Sequence, residues 1–237
     1  MCDHLAVRGV HIDGGYREYI AVPESDCYIL PDQLSDVDAV MIEPTTIAIQ
    51  SCTRAQLEQE DMLLLTARAL WAAPSCALPV RCAATSLWPT SWTTSWLSQG
   101  RRRKYTINTQ KEDFLEKVME YTNGRGATVS IDAACVKDSL LNLLKATGNA
   151  GRVITMGFST APTEVNQFLI TSKELDVRGS RLQNKMFGKA IEMINAGTWT
   201  WPAPSPHTYP LTQAQEAFNF LDTRDPSIRK IVLTFDF

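Results

Sequence analysis

Between Gly15 and Gly100 the chain has no glycine, and between Asp61 and Glu112 it has neither aspartate nor glutamate. The first absence excludes a glycine-built turn over that interval, and the second removes every carboxylate that could accept hydrogen bonds there. An excess of charge of either sign is lacking too. Lys and Arg number 23 against 26 Asp and Glu, a formal net charge of -3, which gives no general attraction to nucleic acid or an anionic membrane. The start, Met-Cys-Asp-His, lacks a basic region followed by an apolar run, and no apolar stretch approaches the roughly 20 residues a bilayer needs. These absences lead to the expectation of a cytoplasmic chain working on a small molecule. Cys2, Cys27, Cys52, Cys76, Cys82 and Cys135 show no CxxC spacing, so isolated thiols are expected rather than a disulfide framework or a zinc ribbon.

What is present reads in two styles. In the first fifty residues Gly14-Gly15 permits a tight turn, and Tyr16, Tyr19, Ile20 and Val22 follow as strand formers before Pro23, so a β-rich opening is expected. From Thr106 helices alternate with apolar strands. Phe114, Leu115, Val118 and Met119 share a helical face, Ala127–Ala134 reads as a strand, and Lys137–Ala146 reads as a helix broken by Gly148 and Gly151. Further strands are expected at Arg152–Phe158 and Leu175–Gly179, and a helix at Met186–Ala196. A second helix, Gln213–Leu221, would open with a Thr212/Gln215 capping box before the terminal apolar run Lys230–Phe237. Such alternation predicts an α/β fold with a doubly wound parallel sheet, because parallel neighbours need long crossovers.

The blocks "GVHIDGGYREYIAVP", "LPDQLSDVDAVMIEP", "SIDAAC", "GRVITMGF", "LDVRGSRL" and "YPLTQAQEAFNFLDTRDPSIRKIVLTF" resemble, in order, those of the zinc-dependent medium-chain alcohol and polyol dehydrogenases, nearest the threonine and sorbitol branch. The resemblance implies a GroES-like catalytic domain clasping a Rossmann domain. Residues 1–50 would form part of the first, 51–195 the second, and 196–237 would return to the first. It implies NAD or NADP as cofactor, a small polyol, sugar acid or amino alcohol as substrate, and a homodimer or homotetramer paired through the strand near Leu175–Arg178. Met156, Gly157 and Phe158, then Ser180 and Arg181, would meet the nicotinamide side through backbone groups, while Asp132 reads as a structural strand-end residue.

Several family features are missing. The catalytic zinc cysteine, its His-Glu pair and most structural-zinc cysteines have no counterpart here. Cys2 resembles the last structural cysteine, but one thiolate cannot make a tetrahedral site. Glu43, in "IEP", resembles a glutamate able to join the catalytic zinc, although a glutamate before proline otherwise reads as a turn residue. His4, His11 and His207 have no partners at ligand spacing. Zinc is therefore expected in the parent family and not in this chain, for which no catalytic residue is assigned. A zinc-independent quinone or enoyl reductase and a non-catalytic remnant are the alternatives, and a remnant without activity is the expectation for the chain as written.

The glycine-rich turn that should hold the pyrophosphate, and the acid about twenty residues later that grips the ribose, fall where this chain has neither. Instead it reads "TARALW" and "SLWPTSWTTSWLSQGRRRK", with Pro74, Pro79 and Pro89, and four of its six tryptophans lie from Trp71 to Trp96. Tryptophan has one codon, TGG, which makes a frame test available. The last base of Trp71 with the first two of Ala72 spells glycine, Trp88/Pro89 spells alanine, and Trp92/Thr93 spells aspartate. Thr66 to Ala72 can then spell Gly-Ala-Gly-Ala-Leu-Gly, and Ala84 to Leu97 an apolar strand ending in acids, about eighteen positions on. Residues 62–104 thus read as a shifted translation of a Rossmann βαβ unit. The other reading is a tryptophan-rich insertion with a ligand of its own. In the shifted reading Arg101–Lys104 is an accident of frame, and in either reading a solvated charge run.

Overall fold

The computed structural model describes residues 3–67, 81–86, 104–197, 207–223, 225, 228 and 230–235. Two compact units emerge, one made of Glu43–Thr200 and the other of Met1–Ile42 with Trp201–Phe237.

The first unit holds a sheet of six parallel strands in the order β3-β2-β1-β4-β5-β6: β1 (Met62–Ala67), β2 (Arg81–Ser86), β3 (Lys104–Asn108), β4 (Ala127–Ala133), β5 (Thr147–Thr155) and β6 (Asp176–Gly179). This is the order 3-2-1-4-5-6, in which the winding reverses between β1 and β4. Strand β1 is central because its side chains serve both faces. Leu64 joins Ile107, Val118, Leu143, Leu144 and Val153 in one core cluster, and Leu63 and Leu65 join Val129, Ile131 and Ile154 in the other. The period-2 alternation of a strand, applied to three consecutive leucines, fills both layers.

The helices follow local sequence signals. Helix α2 (Ile42–Arg54) comes after the short α1 (Asp36–Ala39), which Ser35 caps. Helix α3 (Phe114–Tyr121) starts at Asp113, whose side chain accepts the Glu116 N–H at 2.8 Å. Helix α4 (Ser139–Ala146) buries Leu143 and Leu144. Its C-terminal carbonyls are met from a distance, since Lys173 Nζ donates to the carbonyls of Leu144, Lys145 and Thr147 at 3.1, 2.7 and 2.9 Å. Burial pushes the pKa of that amine down. Helices α5 (Gln167–Thr171) and α6 (Phe187–Asn195) complete the unit.

At the N-terminal edge of the sheet a polar network around the buried Asp61 joins three strands to the end of α2. Asp61 accepts from Arg152 at 2.6 Å, from Thr128 Oγ1 at 2.7 Å and from the Glu58 N–H at 2.8 Å. Arg152 Nη1 also donates to the carbonyls of Ala55 and Gln56, just beyond the end of α2.

Gly148 and Gly151 lie inside β5 and do not end the preceding helix by themselves. The reason is a close crossing of backbones. A Cβ on Gly126, whose φ is +77°, would lie 2.7 Å from the Gly148 nitrogen, and a Cβ on Gly148 would run into the Arg125 carbonyl oxygen. Gly148→Ala is therefore expected to lose about 1–3 kcal/mol of stability, read as a lower thermal midpoint by circular dichroism. An unchanged midpoint would contradict the crossing.

In the second unit, β7 (His207–Pro210) and β8 (Ile231–Thr234) pair in parallel, with α7 (Ala214–Asp222) between them in sequence. Two expectations fail here. Helix α7 follows a 3-10 turn, Leu211–Gln213, and its N-terminal flank Gln213 makes no side-chain cap, so the Thr212/Gln215 box does not form. Backbone already turning before Ala214 displaces the start of the helix past the box. Nor does Tyr16–Val22 form a strand: among the described residues of the first fifty there is a single bridge, Arg8 to Ile12, and Tyr16 and Tyr19 are 73% and 81% exposed. β-forming side chains yield a strand only beside a ladder partner, and β7 and β8 pair with each other.

Candidate cofactor crevice

Open parallel sheets bind ligands beyond the carboxyl ends of the strands where the winding reverses, here between β1 and β4. At that point lies Asp132, 3% exposed. Its Oδ1 accepts from Thr66 Oγ1 at 3.1 Å and from the Cys135 N–H at 2.9 Å, and its Oδ2 accepts from Ser139 Oγ at 2.6 Å. The carboxylate is fully engaged in holding the turn from β4 into α4, a turn containing the left-handed residues Cys135 (φ 51°) and Asp138 (φ 63°). A carboxylate so satisfied is a positioning group and not a base. Thr66 and Ser139 escaped the sequence reading because they meet Asp132 from separate elements, Thr66 from 66 residues away, and the Cys135 N–H meets it within the turn itself.

The same turn reaches the end of β5. A Cβ built on Gly157 would lie 3.7 Å from Cys135 Sγ, and that Sγ donates to the Asp132 carbonyl at 3.4 Å. Although Cys135 is exposed as a residue, burial of the thiol and then the Asp132 charge push its pKa up to about 11. A thiol of that kind stays protonated and is a poor nucleophile at neutral pH. Met156 packs against the cluster around Ile154, whereas Phe158 is 68% exposed. The Arg181 guanidinium lies 6.0 Å from the Phe158 ring centre, at the outer limit of a cation–π contact.

Ser180 follows β6, and its N–H donates to the Thr155 carbonyl at 2.9 Å, so the ends of β5 and β6 are tied together. The Ser180 side chain is buried, and its Oγ has no hydrogen-bond partner among the described residues. An orphaned buried hydroxyl leaves bonding capacity open beside the Met156–Phe158 segment. The five residues named for the nicotinamide side thus share the carboxyl edge of two adjacent strands, and they fit that half of a dinucleotide. The turn after β1, where its pyrophosphate would sit, and the tryptophan-rich stretch other than β2 lie outside the described residues.

Zinc does not fit. Glu43 is exposed in the first turn of α2, where its carbonyl accepts from Thr46 Oγ1 at 2.6 Å. Among the described residues no group of three or more His, Cys, Asp or Glu side chains could hold a metal ion. Elemental analysis after dialysis is expected to give far less than one zinc per chain, and a full equivalent would contradict that.

Comparison with known proteins agrees with this geometry. A family model for zinc-binding dehydrogenases matches residues 103–196. The starvation-sensing protein RspB of Escherichia coli K12 is 28% identical over 99% of this chain and 70% of its own length. The crystal structure of RspB from E. coli CFT073, complexed with NADH, superposes with a TM-score of 0.88. The chain is similar, along most of its length, to proteins named zinc-type alcohol dehydrogenase-like, sorbitol dehydrogenase and L-threonine 3-dehydrogenase. An uncharacterized zinc-type alcohol dehydrogenase-like protein of Haemophilus influenzae is 31% identical over 81% of this chain and 57% of its own length. Sorbitol dehydrogenase of Bacillus subtilis is 24% identical over 87% and 59%. The chain thus spans between 57 and 70% of these relatives' lengths. Among the described residues no helix is long and apolar enough to cross a membrane.

Proposed function

We propose that the parent activity of this fold is NAD(P)-dependent oxidation of a CH–OH group on a small polyol, sugar acid or amino alcohol, and that the chain as written carries little or none of it. The observation that carries the first half is the carboxyl edge of β5 and β6, where Met156, Gly157, Phe158, Ser180 and Arg181 converge and Ser180 Oγ is left without a partner. A nicotinamide bound there would accept hydride from the carbinol carbon. The chain's own contribution is orientation: the Ser180–Thr155 hydrogen bond fixes the edge, Asp132 fixes the opposing turn, and Phe158 with Arg181 stands at the rim. The similarity to sorbitol dehydrogenase and to an NADH-bound alcohol dehydrogenase supports the reaction class.

The second half rests on what the crevice does not offer. With no zinc-competent cluster among the described residues, and glycines and acid missing after β1, polarisation of the alcohol and grip on the dinucleotide both lack their means. An assay with NAD⁺ or NADP⁺ and a panel of sorbitol, xylitol, threonine and butanediol tests the reading. No turnover is expected above a protein-free blank. Reduction of quinones or enones with NADPH, without alcohol oxidation, would instead support the zinc-independent reductase.

Strand β6 is an edge of the sheet, and Val177 on it is 39% exposed. We assign self-association to that edge. Light scattering is expected to show a dimer or tetramer that Val177→Pro dissociates, and a monomer at all concentrations would remove the assignment.

A further inference from the structure

Tyr, His, Gln, Asn, Lys, Asp and Glu are the residues whose codons carry A at the second base. None of them occurs from Met62 to Ser98, while the next longest such stretch in the chain is Ala150–Thr163. No property of a folded segment accounts for this set. It joins a phenol to an imidazole, an amine, amides and acids, while Arg, Ser and Thr, equally polar, are present there. A shifted frame accounts for it directly. When each codon is read one base late, its second base is the third base of the original codon, a position whose identity rarely matters to the original protein.

The structure marks where the shift begins and ends. Leu63, Leu64 and Leu65 are 0, 0 and 2% exposed and fill both core layers on the central strand, so the normal frame holds through Leu65. Beyond the segment, Tyr105 stacks on Tyr121 with ring centres 4.2 Å apart, and Ile107 is fully buried, so the normal frame has returned by Tyr105. The offset glycine triplets start at the third base of Thr66.

We infer that the gene lost one base between the Leu65 codon and the third base of Thr66, and gained one between Leu97 and Tyr105. The tryptophan-rich stretch is then a translation artefact with no ligand of its own. This rests on the dinucleotide-binding reading above only for the identity of the hidden motif and for the Thr66 bound, since the missing second-base A and the buried residues on either side, Leu63–Leu65 and Ile107, are independent of it.

Sequencing the gene from source DNA tests the inference. Two results are expected together: the offset codons over Thr66–Ala72 spell glycine at the first and third triplets as well as the sixth, and A is rare at third positions of the remaining codons. Offset codons without those glycines, or A common at third positions elsewhere, would overturn it. If both expected results are found and a chain carrying the offset translation still fails to bind NADH, the dinucleotide reading fails while the frame inference stands.

Discussion

Arg152→Ala is expected to destabilise the sheet-bearing unit by about 3–5 kcal/mol, because it leaves the Asp61 carboxylate buried without its cation. The side chains of Arg152 and Asp61 are 20% and 8% exposed, so water does little to screen or replace the pair. The cost has a second source. The two carbonyls of Ala55 and Gln56 that Arg152 Nη1 serves at 2.9 and 2.6 Å would lose their donor at the C-terminal end of α2, where the helix dipole also favours a positive charge. Thr128 would keep its bond to Asp61, so the network would be left half satisfied. Urea unfolding followed by far-UV circular dichroism reads the loss as a lower midpoint. The double variant Asp61→Asn with Arg152→Met should recover part of it, since it removes the unpaired charge together with its partner. A loss below about 1 kcal/mol for the single change would show that the pair is peripheral.

How much of this was legible beforehand varies with how local the cause is. The strands Ala127–Ala133 and Asp176–Gly179, and the helices Phe114–Tyr121 and Phe187–Asn195, lie within a few residues of their periodic patterns, because burial on one face writes itself into spacing. The Gly148 and Gly151 assignment failed because Gly148 answers to Arg125 and Gly126, some twenty residues away in sequence, and Gly151 to Thr147, Gly148 and Ala127, and not to the helix beside them. The Thr212 capping box failed through a 3-10 turn that pattern does not reveal. Tyr16–Val22 has the right residues for a strand and joins no β-ladder among the described residues. At the candidate site, Met156–Phe158 and Ser180–Arg181 came from a family resemblance, whereas the Asp132 hub needed coordinates, since Thr66 and Ser139 meet it from different elements. The orphaned Ser180 hydroxyl is likewise a property of packing.

NADH affinity is where the frame account has its largest functional consequence. A pyrophosphate is held by backbone N–H groups at a helix N-terminus, approached so closely that side chains on the turn must be absent. In sequence, the second and third glycine positions are Arg68 and Trp71 here, and Pro74 and Pro79 follow, each interior proline costing a helix about 3 kcal/mol. The acid that would accept the ribose hydroxyls is also missing, as no Asp or Glu occurs between Asp61 and Glu112. A hydrogen bond to a charged acceptor contributes roughly 1.5–3 kcal/mol, so its loss alone lowers affinity by about tenfold to more than a hundredfold. The edge at β5 and β6 would not compensate, because in the proposed reading it meets a different half of the molecule. The measurement that tests this is calorimetric titration of NADH into the chain as written and into a chain in which the segment from Thr66 to Lys104 is replaced by the offset-frame translation, Met62–Leu65 being kept. The expected result is weak or undetectable binding by the first and tighter binding, by at least about tenfold, by the second. Micromolar binding by the chain as written would show that its tryptophan-rich segment forms a working site after all.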